Sequence, residues 1–235
     1  MNKHGGKRLS ALLLSALLAG LLILPCLAQG DAAPRGYVAL TFDDGPTAGV
    51  TSTLLEGLAG RKVNATFFLC GYRIELFPEL IEDYVAGGHE IGIHGYSHAY
   101  LNDLDATGCW QELHQTLDLL EVQGVHPTLF RAPGGLTSQT LQTEAALAGL
   151  SLIHWSVDPQ DWCCTDPEVL VERVMSKVQP GDIILMHELK DSSVQAALSI
   201  IDCLRQRGLE PVTVSQLAAL RGTALVPGGT YFRFS

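Results

Sequence analysis

Tyr37-Val38-Ala39-Leu40-Thr41-Phe42-Asp43-Asp44-Gly45-Pro46 runs a mostly apolar segment into two adjacent acids and a Gly-Pro turn. The segment Tyr37–Phe42 reads as a buried strand, and Asp-Asp-Gly-Pro as the sharp turn that ends it. Six further apolar runs predict strands over 65–70, 89–93, 127–131, 151–157, 182–187 and 210–214. Stretches of helical period lie between them, and Trp110, Leu113, Leu117 and Leu120 are spaced to share one helix face. Asp166-Pro167 reads as a helix N-cap and first helical residue, while Gly124 and Gly208 sit where helices should stop. Strands alternating with helices imply a largely parallel sheet, open and doubly wound or closed into a barrel, and periodicity leaves both open. Within the tail 221–235, Tyr231-Phe232-Arg233-Phe234 is a candidate last strand.

Hydrophobic residues make up 47% of the 235-residue chain and charged residues 17%, which describes a folded protein with one substantial core. Lys3, Lys7 and Arg8 precede an apolar run from Leu9 to Leu24, followed by Pro25-Cys26-Leu27-Ala28. This pattern predicts a signal peptide over 1–28 with cleavage after Ala28, or an uncleaved N-terminal anchor. The expected location is therefore secreted or associated with the cell wall, with membrane anchoring as the alternative. Cleavage would leave 12 basic residues against 25 acidic ones, a net charge of −13. That balance argues against a nucleic-acid partner, and no protein partner is inferred. Cys70, Cys109, Cys163, Cys164 and Cys203 would remain, an odd number without a C-x-x-C pair, so at least one thiol is unpaired in a monomer.

Two motifs carry chemistry. Asp43 and Asp44 at a strand end can divide their work, one holding a metal and the other taking a proton. His94-Gly95-Tyr96-Ser97-His98 places two histidines four apart, a spacing that puts both on one side of a helical turn. Read alone, the first is an Asp-rich turn and the second a chance pair. Together they supply a carboxylate and two imidazoles, a donor set suited to a divalent ion.

The ordered motifs resemble a known family. Thr41-Phe42-Asp43-Asp44-Gly45-Pro46, His94-Gly95-Tyr96-Ser97-His98, Arg131-Ala132-Pro133-Gly134-Gly135, Asp158-Pro159-Gln160-Asp161-Trp162 and Leu185-Met186-His187 are similar, in order, to the five motifs of NodB-like polysaccharide deacetylases, carbohydrate esterase family four. The likeness covers 37–220. It implies a distorted barrel of about seven parallel strands with the site at their carboxyl ends. It further implies metal ligation by Asp44, His94 and His98, with zinc first and cobalt or another divalent ion open. Asp43 would be the general base with Arg131 as its charge partner, and His187 the general acid paired with Asp161. Gly134 would offer its N–H to the oxyanion, and Trp162 and Leu185 would wall the acetyl pocket.

The implied reaction is hydrolysis of an N-acetyl group from an amino sugar in a cell-wall polysaccharide, with peptidoglycan as the leading substrate. Chitooligosaccharides, O-acetyl polysaccharides and a catalytically silent glycan binder are the alternatives. The binder has no use for both a base and an acid around a metal. The third motif departs from the family in carrying Gly134 where an aromatic residue is frequent, so a stacking surface for sugar is expected to be missing. His89, His114, His126 and His154 fall outside the motifs and read as structural.

Overall fold

A computed structural model describes residues 33–235, so the export segment and its expected cleavage point lie outside the described residues. β1 (Gly36–Gly45) is buried along most of its length and divides its side chains by the two-residue strand period. Val38, Leu40 and Phe42 face outward into the main apolar cluster, which also takes in Leu54, Leu58, Ile200 and Leu204 from surrounding helices. Ala39 faces the opposite way, packed with Phe68, Leu129, Ile153 and Ile183. Thr41 and Asp43 follow Ala39 in the same alternation, so a carboxylate is directed inside the curl of the sheet.

After β1 come α1 (Val50–Arg61), β2 (Thr66–Leu69), α2 (Gly71–Leu76), α3 (Leu80–Ala86), β3 (Glu90–Ile93) and α4 (Ala106–Glu121). The chain continues through β4 (Leu129–Phe130), α5 (Gln139–Leu147), β5 (Ser151–Ile153), α6 (Pro167–Met175) and β6 (Ile183–His187). It ends with α7 (Asp191–Gln206), β7 (Leu209–Val212), α8 (Val214–Leu220) and β8 (Thr230–Tyr231). Every strand pairing is parallel, in the order β6-β1-β2-β3-β4-β5-β8, while β7 takes the first residues of β1.

The seven strands read from the sequence are present, some shorter than expected, and the tail adds an eighth beside β5. Bridges from Val157 to Ile184 and from Arg233 to Asp182 draw the far end of the sheet toward β6. The sheet is therefore a curled, distorted barrel rather than an open one. Its amino end is plugged by α8, whose Val214, Leu217 and Ala218 pack with Phe234 against the inner apolar residues. The Val214 N–H donates to Thr66 Oγ1 at the start of β2, which fixes this plug away from the carboxyl ends.

Local signals explain the helices. The Asp166 side chain accepts from Glu168 N and Val169 N, with Pro167 opening α6 as expected. Thr213 and Gln216 form a reciprocal capping box at α8. In α7, Val194, Ala197, Ile201 and Leu204 make the buried stripe, each large aliphatic contributing about 1.5–3 kcal/mol on burial. The helix face expected in α4 needs correction: Trp110 is 51% exposed and stacks on His114, while the neighbouring Cys109 is buried in its place. The five cysteines among the described residues are unpaired.

The turn after β1 is fixed from behind by Glu188, a fully buried residue just past β6. Its carboxyl accepts from Tyr84 Oη at 2.6 Å and from Thr51 Oγ1 at 3.2 Å. Burial pushes that carboxyl up to about 8, against the pull of the two hydroxyls. A Cβ on Gly45 would fall onto the Glu188 carboxylate, so this position requires glycine for lack of space. Gly45→Ala is expected to lower the unfolding free energy in urea by about 3 kcal/mol. In the Gly45→Ala/Glu188→Ala double variant the loss should be smaller than the sum of the single losses, because the collision is gone. A wild-type urea midpoint for Gly45→Ala would show that the turn has room.

Candidate active site

The carboxyl ends of β1, β3, β4 and β6 converge on one buried ion pair. Arg131, fully buried, donates from Nη1 to Asp43 Oδ1 and to Thr41 Oγ1, each at 2.7 Å. Its other two nitrogens also donate, Nε to the Ile153 carbonyl and Nη2 to the His154 carbonyl, each at 3.0 Å. The guanidinium lies over the Phe68 ring, 4.2 Å from its centroid. Burial lowers the Arg131 pKa and Asp43 opposes that shift, which is why a carboxylate must accompany the cation.

Asp44 follows with φ 71°, a left-handed conformation that turns its side chain to the other side of the chain from Asp43. There it meets His94 and His98, and the three offer donor atoms that all lie within 4.8 Å of one another. Asp44 Oδ1 is 3.5 Å from His94 Nε2 and 3.2 Å from His98 Nε2. It is nonetheless buried without a well-aligned hydrogen-bond partner. An orphaned carboxylate oxygen facing two imidazole nitrogens fits a divalent cation. His94 Nδ1 lies 2.7 Å from the Arg131 carbonyl oxygen, so the proton belongs on Nδ1 and Nε2 keeps its lone pair toward Asp44.

The sequence reading of His94 and His98 as neighbours on a helical turn is corrected here. His94 directly follows β3, and the chain then doubles back through left-handed Gly95 and His98, at φ 76° and 62°. The loop is fixed by Glu112 of α4, whose carboxylate accepts from Tyr96 N, Ser97 N and Ser97 Oγ at 2.8, 2.9 and 2.6 Å. Burial of Asp44 opposes its ionisation, but His98, His94 and His187 together bring it down to about 2. Burial also depresses His94, whereas contact with Asp44 raises the more open His98.

His187, in register with Asp43 on the adjoining strand, forms the third group. Its Nδ1 is 2.7 Å from Asp161 Oδ1, and its backbone N–H donates to Asp161 Oδ2 at 2.8 Å. Burial works against the imidazolium, but Asp161, with Asp43 and Asp44 beyond it, raises His187 to about 9. Leu185 sits two residues earlier on the same face of β6 and is buried, whereas Trp162 is 57% exposed at the rim. At the third motif, Gly135 N and Leu136 N turn back to the Ala132 and Pro133 carbonyls, and no acceptor takes the Gly134 N–H among the described residues. The space beside Gly134 is filled from another loop, since a Cβ there would stand 2.9 Å from Tyr100 Cε1.

All the residues singled out in the motifs thus lie at one end of the barrel. Thr41, Glu112 and Glu188 were not read from the sequence. Thr41 had a signal, its place two residues before Asp43 on the same strand face. His89 accepts from Ala65 N at 3.2 Å and His154 stacks on Phe232, which accounts for both without the site.

Groups able to take a proton from water and to give one to a leaving group, gathered around a cation-type pocket, are the equipment of a hydrolase. Sequence comparison agrees. The family model described as polysaccharide deacetylase matches residues 30–153. Peptidoglycan-N-acetylmuramic acid deacetylase PdaC of Bacillus subtilis (strain 168) is 36% identical over 185 residues, covering 78% of this chain and 39% of the relative. A chitooligosaccharide deacetylase of Sinorhizobium fredii (strain NBRC 101917 / NGR234) is 36% identical over 198 residues, covering 77% of this chain and 90% of the relative. The solved structure of a family 4 acetyl xylan esterase from Clostridium thermocellum in complex with a cobalt ion matches with a TM-score of 0.79 at 31% identity, over 84% of this chain and 98% of that one. The chain belongs to the polysaccharide deacetylase family, whose activity is hydrolytic.

If Asp44, His94 and His98 act as one donor set, calorimetric titration of metal-stripped protein with zinc or cobalt should give one ion per chain. His98→Ala is expected to abolish stoichiometric binding with little change in the circular dichroism spectrum, because His98 is half open. Full retention of the ion by His98→Ala would place it elsewhere.

Proposed function

We propose that this chain hydrolyses the N-acetyl group of an amino sugar in a cell-wall polysaccharide, peptidoglycan first, releasing acetate and leaving a free amine. A divalent ion held by Asp44, His94 and His98, zinc by preference, would polarise the acetyl carbonyl and lower the pKa of water toward about 7. Asp43 presents Oδ2 as the base that takes the proton of the attacking water, while Arg131 holds Oδ1. The water oxygen bonds to the carbonyl carbon, and the Gly134 N–H donates to the oxygen that becomes negative. The C–N bond then breaks as His187 gives its proton to the departing nitrogen. Leu185 and Trp162 flank the acetyl methyl.

The observation that carries this reading is the His187–Asp161 pair. An amide nitrogen leaves only as the protonated amine, whereas an ester oxygen can leave with less help. A histidine whose pKa is raised by a fully buried carboxylate at Nδ1 holds its proton more readily at neutral pH, which matches the harder leaving group. The names of the two relatives, one acting on N-acetylmuramic acid in peptidoglycan and one on chitooligosaccharides, support an N-acetylated amino sugar as the substrate class. Export through the N-terminal segment would bring the protein to such a polymer.

Acetate release from peptidoglycan and from chitin oligomers, with and without chelator, tests the reaction directly. Asp43→Asn and His187→Ala are each expected to lose about 10²–10⁴-fold in turnover while still binding the ion. Near wild-type turnover in either would refute the acid–base assignment.

The alkaline limb of the pH profile reports the acid. The proton on His187 is present below its pKa and lost as pH rises through it, so activity should fall on the alkaline side, below the value of about 9 that His187 has without a cation on Asp44. Asp161→Asn removes the partner that favours the imidazolium, and the limb should move to lower pH. An unmoved limb would assign the acid role to another group.

A further inference from the structure

Tyr100 lies two residues after His98, on the rim beside the third motif. It is 57% exposed, although the chain on either side of it is fixed. Leu101 is fully buried, and the Tyr100 carbonyl accepts from Asp103 N at 3.3 Å in the short 3₁₀ turn that follows. The ring is thus presented to solvent from a backbone that does not need the ring for its own packing. Its edge rests on Gly134, where a Cβ would come within 2.9 Å of Cε1 and 3.5 Å of Cδ1. Gly134 is also left-handed, at φ 65°, so both space and backbone favour glycine. On the far side, a Cβ on Gly135 would come within 2.8 Å of Trp155 Cη2, and that indole is already packed near the Arg131 guanidinium. The two-glycine turn, with its N–H open, therefore lies between a committed indole and an uncommitted phenol.

We infer that Tyr100 is a specificity-determining residue that stacks its ring on the apolar face of the N-acetylhexosamine, setting the sugar over Gly134. The inference rests on the deacetylase reading above and adds the group that recognises the sugar ring. An N-acetylglucosamine-type pyranose carries its substituents equatorially and shows axial C–H groups on each face, a surface that an aromatic ring covers well. Gly134 and Tyr100 act as a complementary pair, because any side chain at 134 would displace the ring.

The test compares an N-acetylchitotetraose with 4-methylumbelliferyl acetate, an acetyl ester without a sugar. In Tyr100→Ala the ratio of kcat/KM for the tetramer to that for the ester should fall about tenfold, the scale of one aromatic contact, chiefly through KM. Tyr100→Phe and Tyr100→Trp should keep the ratio, since the face and not the hydroxyl is used. An unchanged ratio in Tyr100→Ala, or a fall in Tyr100→Phe as large as in Tyr100→Ala, would overturn the inference. Calorimetric binding of the tetramer to Asp43→Asn protein separates it from the chemistry. There Tyr100→Ala should weaken the dissociation constant about tenfold even if acetate release by the wild type failed and overturned the deacetylase reading. Equal affinity with and without the ring would remove Tyr100 from the sugar site.

Discussion

The buried pair of Arg131 with Asp43 is the constraint around which this end of the barrel is arranged. A guanidinium out of water is tolerable only if its nitrogens find acceptors, and here all three do, on a carboxylate and hydroxyl of β1 and two carbonyls at and beyond the end of β5. Those acceptors come from strands on opposite sides of the interior, so the same bonds that offset desolvation also hold the curl of the sheet. Removing one partner of such a pair leaves an uncompensated buried charge, at a cost of about 3–5 kcal/mol. The Arg131 backbone acts as well. Its N–H joins the Ile93 carbonyl and its own carbonyl meets His94 Nδ1, so one residue orients the candidate base and sets the tautomer of a candidate ligand.

The strand period explains why this could be read from sequence. Once Tyr37–Phe42 is taken as a strand, Ala39, Thr41 and Asp43 must share a face, and Leu185 and His187 share one by the same argument. Parallel register then sets Asp43 beside His187 without any need to know the loops. Closure of the sheet was legible through the ordered motifs and the barrel their resemblance implies, not through periodicity, because it depends on bridges at Val157 and Arg233, outside any regular run. Trp110 and Leu117 match a helical stripe by spacing, yet the face that α4 buries is rotated toward Cys109 and Thr116. Periodicity gives the stripe and neighbouring elements choose its direction.

Side chains that act across long sequence distances were hidden for a related reason. Glu112 fixes the His94–His98 loop from α4, and Glu188 fills the space behind Gly45, but each is an ordinary acid when only its neighbours in sequence are visible. The motif loops are strained. Asp44, His98 and Gln160, all within the ordered motifs, adopt left-handed φ, at about 1–3 kcal/mol each for residues other than glycine. Such conformations persist only where surrounding contacts over-determine them, and Glu112 supplies three such contacts to one loop. Of the four left-handed residues other than glycine among those described, only Lys62, which caps α1, lies outside the motifs.

Three histidines at one end of the barrel show how environment assigns roles to identical side chains. His94 is buried, its pKa is depressed, and a carbonyl on Nδ1 leaves Nε2 as an acceptor, which suits a neutral ligand. His187 meets a carboxylate at Nδ1 instead, and although burial opposes its charge, Asp161 and the acids of β1 raise it to about 9. The exchange of a carbonyl for a carboxylate at the same ring nitrogen is the difference between holding an electron pair and holding a proton. His98, open to solvent and turned by its own left-handed backbone, lies between these extremes and takes its character from Asp44. The proposed reaction, which would bind a cation and also deliver a proton, needs both kinds of imidazole close together without their exchanging roles. The separate anchoring of each Nδ1, on the Arg131 carbonyl and on Asp161, would keep those roles apart.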